Sequence, residues 1–462
     1  MEFVQDSFTG LHKLKHLDLA DNNIEKLPPE LFCPLNKLMF LNLSKNGIQN
    51  VCDLGFSDWG NGPSAPGKTC NTGLEELDLS YNAVSKITDN SFTSLRSLQK
   101  MYLQNNAISQ MADRAFVGLA SLQVLNVSSN KLVALPPELF QSSRDLKEIY
   151  IQNNSINILA PGLFEGLDQL LVLDLSKNEL DNNWINRDTF SGLVRLIVLN
   201  LGHNKLTKID SHIAFYQLSN LHELTLSHNN LIESLDLSSL RLGNNINYHE
   251  LPQFYLGNNP ILCDCSMEWL QQINFINNLR QYPQIMDLDS INCRLVNKHS
   301  GNKIPAVEEV MKSSDFLCKY ETHCFALCHC CDFDACDCEM TCPTNCTCYH
   351  DHLWSSNIVD CSNSGYIHVP ANIPMDATEI YLDGNNLSQL NSHVFIGKKK
   401  LEVLYLNNSN ISNINNKTFN GVPSLKVLHL ENNNLKKLNV KKHASICIAN
   451  AAISANIVPK SI

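Results

Sequence analysis

A solenoid of short parallel strands, interrupted once by a cysteine-rich segment, is the fold this 462-residue sequence predicts. Three observations predict it. A leucine and asparagine pattern recurs from Leu14 to Asn229, mostly 24 residues apart, and restarts near Ile380. Fourteen of the eighteen cysteines fall between Cys263 and Cys361, on neither side of which the pattern is lost for long. Coils that stack must have their ends covered, so a cysteine-dense cap in mid-chain marks where one solenoid ends and another begins.

The coils come first. L-x-x-L-x-L-x-x-N-x-L/I appears as LKHLDLADNNI, LMFLNLSKNGI, LEELDLSYNAV, LQKMYLQNNAI, LQVLNVSSNKL, LKEIYIQNNSI, LLVLDLSKNEL, LIVLNLGHNKL and LHELTLSHNNL. Inside L-x-L the apolar residues point inward and the residue between them outward, the period of two that makes a strand. The recurring Asn22, Asn46, Asn82, Asn106, Asn130, Asn154, Asn178, Asn204 and Asn229 stand where the chain turns inward, and an amide there can satisfy buried backbone groups of adjacent coils. Phe32, Phe92, Phe116, Phe140, Phe164, Phe190 and Phe215 follow at a steady offset and are expected to fill the convex side. The regularity identifies the fold class as an α/β-type leucine-rich-repeat solenoid, a parallel-sheet horseshoe in two arrays.

Two places depart from the period. The stretch VCDLGFSDWGNGPSAPGKTC reads as an inserted loop that Cys52 and Cys70 could staple. After Asn229, LSSLRLGNNI and LPQFYLGNNPI put asparagines at Asn245 and Asn259, too close together for normal coils, so irregular packing or a defect in the sequence is expected there.

Composition narrows the function. With 44% hydrophobic and 18% charged residues the chain is a folded one. A net charge of −11, with no basic run longer than Lys398 to Lys400, speaks against nucleic acid and for a neutral or basic protein partner. Eight N-x-S/T sequons, at Asn42, Asn126, Asn153, Asn345, Asn386, Asn407, Asn410 and Asn416, favour an oxidising, extracellular compartment. The opening MEFVQDSFTG has no secretory character and stands already inside a coil, so the sequence reads as a fragment of a longer chain, with no transmembrane stretch of its own.

The cysteine island carries the most specific resemblance. NPILCDCSMEWL with Cys293 and Cys318 resembles the C-terminal cap of extracellular leucine-rich repeats, and CPTNCTCYHDHLWSSNIVDC resembles their N-terminal cap. The family pattern implies pairs Cys263 with Cys293, Cys265 with Cys318, Cys342 with Cys348 and Cys346 with Cys361, and implies that Trp269 covers the last coil. Repeats resume at once as IYLDGNNL, LYLNNSNI and LHLENNNL. A C-terminal cap followed by an N-terminal cap and more repeats is similar to insect Toll receptors, and the linking segment HCFALCHCCDFDACDCEMTCPTNCTC resembles that of Tollo and 18-wheeler relatives. The resemblance implies the ligand-binding region of a single-pass cell-surface receptor that binds a Spätzle-type cystine-knot cytokine or another surface protein. It also implies signalling in immunity or development as a homo- or heterodimer. The membrane would be reached only through a segment not present here.

The resulting division is a first array at 1–262, a C-terminal cap at 263–318, a linker at 319–341, an N-terminal cap at 342–370, a second array at 371–438 and a non-repeat tail at 439–462. Cys324, Cys328, Cys330, Cys331, Cys336 and Cys338 remain in the linker. With His323 and His329 they would suit zinc, but an even count between two disulfide caps favours disulfides of unreadable pairing.

Outward strand positions line the concave face. Asp78, Tyr102, Tyr150 and Asp174 in the first array, and Tyr381 and Tyr405 in the second, are the candidate ligand contacts, because an aromatic body with a polar tip suits a protein interface. A glycan on Asn126 would close the face between Tyr102 and Tyr150. No nucleophile elbow, zinc-protease motif or phosphate loop is present, so neither enzyme activity nor a cofactor is expected. The rival reading is a secreted Slit-type adhesion or guidance protein, which also alternates capped repeat arrays.

Overall fold

The computed structural model describes residues 3–4, 6–28, 30–54, 73–185, 188–209, 218–233, 235, 237–240, 251–276, 282–297, 304–305, 311–324, 339–435 and 452–454. Cys70, Phe215, Asn245, His329 and the linker cysteines from Cys328 to Cys338 lie outside them, as do the side chains of Cys52 and Cys324. The chain divides into two compact units: Met1–Ile261, Trp269–Cys293 and Pro305–Val307 in one, Leu262–Glu268, Arg294–Ile304 and Glu308–Ile462 in the other.

In the first unit one eleven-stranded sheet runs from His16–Asp18 to Gln284–Ile285. Each strand is three residues in most coils, and its middle residue is the core leucine of the repeat. These align in parallel register as Leu17, Leu41, Leu77, Met101, Leu125, Ile149, Leu173, Leu199, Leu224 and Phe254. Most are wholly buried. The convex return is a run of turns rather than helices, held by a phenylalanine spine. Phe140, Phe164 and Phe190 stack at 6.2 Å intervals, and Phe92 meets Phe116 at 6.3 Å.

The asparagine ladder closes each inward turn. Asn178 Nδ2 donates to the carbonyls of Leu175 and Ile151, and its Oδ1 accepts from Ile156 N–H, so one buried amide ties its own coil to the previous one. Asn46, Asn82, Asn106, Asn130, Asn154, Asn204 and Asn229 bond in the same way. The residue before the ladder asparagine takes a left-handed conformation, as at Lys177 with φ 52° and His203 with φ 54°. This is where the chain reverses, and the helical-turn alternative would leave the ladder carbonyls unpaired.

Both departures from the period resolve into single long coils. Strand Phe40–Asn42 pairs directly with Glu76–Asp78, so the insertion belongs to one coil, closed by Asn82 Nδ2 on Leu43 O at 2.9 Å. Strand Glu223–Thr225 pairs directly with Gln253–Tyr255, and Asn259 donates to Leu226 O at 3.0 Å. The irregular packing expected after Asn229 falls between these two directly paired strands, and Asn245 lies outside the described residues.

The second unit is built on a seven-stranded sheet. It opens as an antiparallel hairpin, Thr347–His350 against Asn357–Asp360, with Cys318–Tyr320 on its outer edge. From Asn357–Asp360 onward the pairing is parallel through Glu379–Tyr381, Val403–Tyr405 and Val427–His429. Disulfides join Cys265 to Cys318, Cys342 to Cys348 and Cys346 to Cys361. Cys263 and Cys293 are also disulfide-bonded, and so is Cys33, which the sequence reading left without a role. Cys348 and Cys361 are buried among Ile373, Ile380 and Leu382, so the cap disulfides form part of that core. In the turn Cys265–Gln271, Met267 and Leu270 are the wholly buried side chains, whereas Trp269, the expected cover, is only half-buried. The linker enters and leaves through paired strands, Thr322–Cys324 antiparallel to Glu339–Thr341.

Candidate ligand-binding surface

The outward residue that ends each strand follows a rule. Where it is Asp or Asn, its Oδ1 accepts a hydrogen bond from the backbone N–H two residues on and closes the strand into the turn. Asp18 does so to Ala20, Asn42 to Ser44, Asp78 to Ser80, Asn126 to Ser128, Asp174 to Ser176, Asn200 to Gly202 and Asp360 to Ser362, all at 2.8 to 3.0 Å. This is the short side-chain mimic of a turn that Asp and Asn make readily. Asp78 and Asp174 thus each spend one carboxylate oxygen on their own coil and offer only the other to a ligand.

Tyr102, Tyr150, Tyr255, Tyr381, Tyr405 and His429 occupy the same position, where a tyrosine cannot make that bond. In the first unit Tyr102 and Tyr150 are half-buried and stand two coils apart with Asn126 between them. Tyr150 OH donates to Glu148 Oε2 at 3.0 Å. Burial, that bond and the Glu148 charge push its phenol up to about 12. Burial and then Glu76 raise Tyr102 as well. Lys100 lies 3.4 Å from Glu76 and is raised by that carboxylate.

The second unit brings its aromatics together. Tyr381 and Tyr405 stack with ring centroids 4.2 Å apart and planes 6° from parallel, and Tyr405 stacks on His429 at 4.4 Å and 2°. Burial raises the phenols of both tyrosines, and Glu379 adds to the effect on each. Tyr381 also packs with Tyr349, Leu317 and Ile358, which anchors one end of the stack.

A feature that reasoning from sequence missed lies on the turn edge of the first unit. A polar groove of about 500 Å³ runs past Gln152, Asp174, Lys177, Asn200, His203 and Thr225. Gly202 also lines it, and His203 and His228 stack beside it at 4.1 Å. Burial, then the neighbouring His228 and Lys177 charges, hold His203 below the ordinary imidazole range. The signal available in sequence was the pair of histidines that precede consecutive ladder asparagines.

The sequons divide by location. Asn153, Asn345, Asn386, Asn410 and Asn416 are exposed, while Asn42, Asn126 and Asn407 are half-buried. In Asn42 and Asn126 the sequon coincides with the turn-closing Asn-x-Ser of the coil.

A capped, doubly arrayed coil stack with tyrosines on its concave face defines the class: a repeat protein built to present surface to another macromolecule. The leucine rich repeat family pattern matches residues 3–48, 72–132, 121–180, 183–231 and 377–435, more than half the chain. The chain belongs to the leucine-rich-repeat family. It is similar to Toll-like receptor 7 of Drosophila melanogaster, 50% identical over 191 residues that make up 41% of this chain and 13% of that protein. Protein toll of the same fly is 25% identical over 187 residues, 39% of this chain and 15% of that protein. Among solved structures, a chain in the Toll–Spatzle complex aligns over 95% of this one with a TM-score of 0.59 at 19% identity. That likeness concerns the fold. The chain spans 61% of that neighbour, and its aligned stretches are a small part of both fly relatives.

Proposed function

We propose that this chain is the extracellular ligand-binding region of a Toll-type transmembrane signalling receptor, acting in innate immunity or development. The observation that carries the reading is the order of parts: a repeat array, a disulfide cap, a linker clasped between paired strands, a second cap with Cys342–Cys348 and Cys346–Cys361, and a second array. Two solenoids joined in this way give a large surface on which a protein ligand can bring two receptors together. The structural neighbour is a receptor in complex with Spatzle, which favours a Spätzle-type cystine-knot cytokine as the ligand class.

The concave tyrosines are the proposed contacts, with Tyr102 and Tyr150 in the first unit and Tyr381 and Tyr405 in the second. Asp78 and Asp174 contribute the carboxylate oxygen their turns leave over. The proposed boundaries keep the two arrays at 1–262 and 371–438, with the caps and linker between. No helix among the described residues is long and apolar enough to cross a membrane.

The test is binding of the secreted chain to Spätzle-type cystine-knot dimers, read by surface plasmon resonance and by the mass of the complex. Saturable binding with two chains per ligand dimer supports the reading. Absence of binding to every such dimer, together with retention on heparan-rich matrix, would favour the Slit-type adhesion alternative. Substituting Tyr102 and Tyr150 together tests the first concave face: unchanged affinity rejects it.

A further inference from the structure

The strand-end position is where the two arrays differ most. In the first unit the turn-closing Asp or Asn is displaced by tyrosine only at intervals, at Tyr102, Tyr150 and Tyr255. In the second unit three successive coils give it up, at Tyr381, Tyr405 and His429, and the rings form one continuous stack. Each replacement forgoes a local hydrogen bond of about 1 kcal/mol. Ring stacking of about 0.5–1.5 kcal/mol per pair offsets that loss, so coil stability alone does not select the aromatic.

Charge on this face is one-sided. The outward positions of the four parallel strands and the residue that begins each turn are Ile358, Asp360 and Ser362, then Glu379, Tyr381 and Asp383, then Val403, Tyr405 and Asn407, then Val427, His429 and Glu431. Carboxylates recur in this grid and no lysine or arginine does. In the first unit the comparable Glu76 is answered by Lys100 on the next strand. The face is also short of donors: Glu431, with 28% of its side chain exposed, has His429 Nδ1 beside it at 3.4 Å.

We propose that the aromatic ladder Tyr381–Tyr405–His429, with its flanking acceptors, is a docking surface for a protein segment that presents arginine. This rests on the reading of the chain as a protein-binding ectodomain and specifies which array takes which chemistry. The ring faces are consumed within the stack, so a partner meets ring edges, hydroxyls and the acceptor row beside them. Acceptors on neighbouring strands stand ~4.8 Å apart. A planar guanidinium carries five donors in a fixed fork and can engage two such acceptors at once, whereas an ammonium is a strongly hydrated point charge. The stack supplies a rigid floor that loses little freedom on binding.

The experiment uses the secreted chain and two probes, the peptide Gly-Arg-Gly-Arg-Gly-Arg and its lysine counterpart, titrated by calorimetry at low and physiological salt. The arginine peptide is expected to bind at least about threefold tighter than the lysine one, a margin set by the fork geometry. The isosteric pair Glu379→Gln and Glu431→Gln should weaken it about tenfold or more, as removal of charged partners does. Tyr405→Leu should weaken it as well, with circular dichroism confirming that each variant keeps its fold. Glu165→Gln, at an exposed turn of the first unit, should leave the affinity unchanged. Equal affinity for both peptides, indifference to the Glu→Gln pair, loss on the first-array variant, or a glycan found on Asn407 would each overturn the proposal. A cystine-knot dimer that binds the Glu→Gln variant as well as wild type defeats this docking surface while leaving the receptor reading intact. Peptide binding without any cytokine binding does the reverse.

Discussion

The imidazole Nε2 of His323 lies 3.0 Å from Asp376 Oδ2, with only 5% and 7% of the two side chains exposed. Around this pair Asn357 Nδ2 donates to Asp376 Oδ1 at 2.9 Å and Tyr320 OH donates to Asn357 Oδ1 at 2.6 Å. Trp354 is sandwiched between His323 at 4.3 Å and His350 at 3.7 Å. The strand that leads into the cysteine-rich linker is thereby tied to the first coils of the second array. Removing one member of such a buried polar network leaves its partners unpaired at a high cost.

Asp376→Ala tests that tie. It leaves the Asn357 amide and the His323 ring without their acceptor, and should lower the stability of the second unit by about 3 kcal/mol. Asp376→Asn keeps an acceptor in place and should cost distinctly less. Urea unfolding of the secreted chain, followed by tryptophan fluorescence, measures both, and equal effects would reject the network account.

The asparagine ladder predicts position-dependent costs. Asn178→Ala strips Ile151 O, Leu175 O and Ile156 N–H of their buried partner and should cost about 3 kcal/mol, since each orphaned group costs ~1–3. Asn22 sits exposed in the first coil and bonds only Leu19 O and Ala20 O, so Asn22→Ala should cost under ~1 kcal/mol because water replaces its bonds. Hydrogen exchange at Ile156 should accelerate in the first variant alone.

Alkali should act through the concave tyrosines. Tyr150, raised to about 12 first by burial and then by its bond to Glu148, keeps its proton after an unfolded tyrosine with a pKa of ~10 has lost its own. Its contribution to stability is therefore full below pH ~10 and falls as pH rises from there through about 12. In a titration of tyrosinate absorbance, Tyr150→Phe should remove part of the late rise, and Glu148→Gln should bring that part to lower pH.

Much of this was legible in the sequence, because a coil repeats one set of local bonds. The ladder asparagines, core leucines and convex phenylalanines could be placed from spacing, as could the one-coil separation of Tyr381 and Tyr405 that lets their rings stack. What spacing cannot give is which strand enters the sheet. LRLGNNI imitates a coil in sequence, yet Leu224 pairs directly with Phe254 and Asn259 bonds back to Leu226 O. Nor does a sequence reveal that Asp78 and Asp174 are half spent on their own turns. His323 and Asp376 are 53 residues apart and meet only because the hairpin of the N-terminal cap folds between them.

Glycan mapping of the secreted protein separates sequons that serve the coil from those free to be modified. Asn153, Asn345, Asn386, Asn410 and Asn416 are exposed and should carry glycans, while Asn42 and Asn126, held by their turn bonds on the concave face, should be largely bare. Asn126→Asp preserves the turn bond and should leave stability unchanged, whereas Asn126→Ala should cost about 1 kcal/mol. A fully occupied Asn126 would close the space between Tyr102 and Tyr150 to any ligand.

The three disulfides of the second unit should rank by the loop each closes. Cys265–Cys318 spans 53 residues, Cys346–Cys361 spans 15 and Cys342–Cys348 spans 6. The chain-entropy argument gives stabilisations of about 4, 3 and 2 kcal/mol in that order. Burial modifies the ranking, because Cys361 is wholly buried against the first coils of the second array and its replacement by serine also buries a hydroxyl within an apolar core. Paired Cys→Ala variants isolate the loop term, and Cys→Ser at Cys361 adds the burial term on top. Measured by thermal unfolding, the double-alanine series should follow loop length, while Cys346→Ser with Cys361→Ser should fall below its alanine counterpart. If the alanine series shows no order in loop length, the caps stabilise chiefly through native packing, and the second array should then keep its fold under reducing conditions.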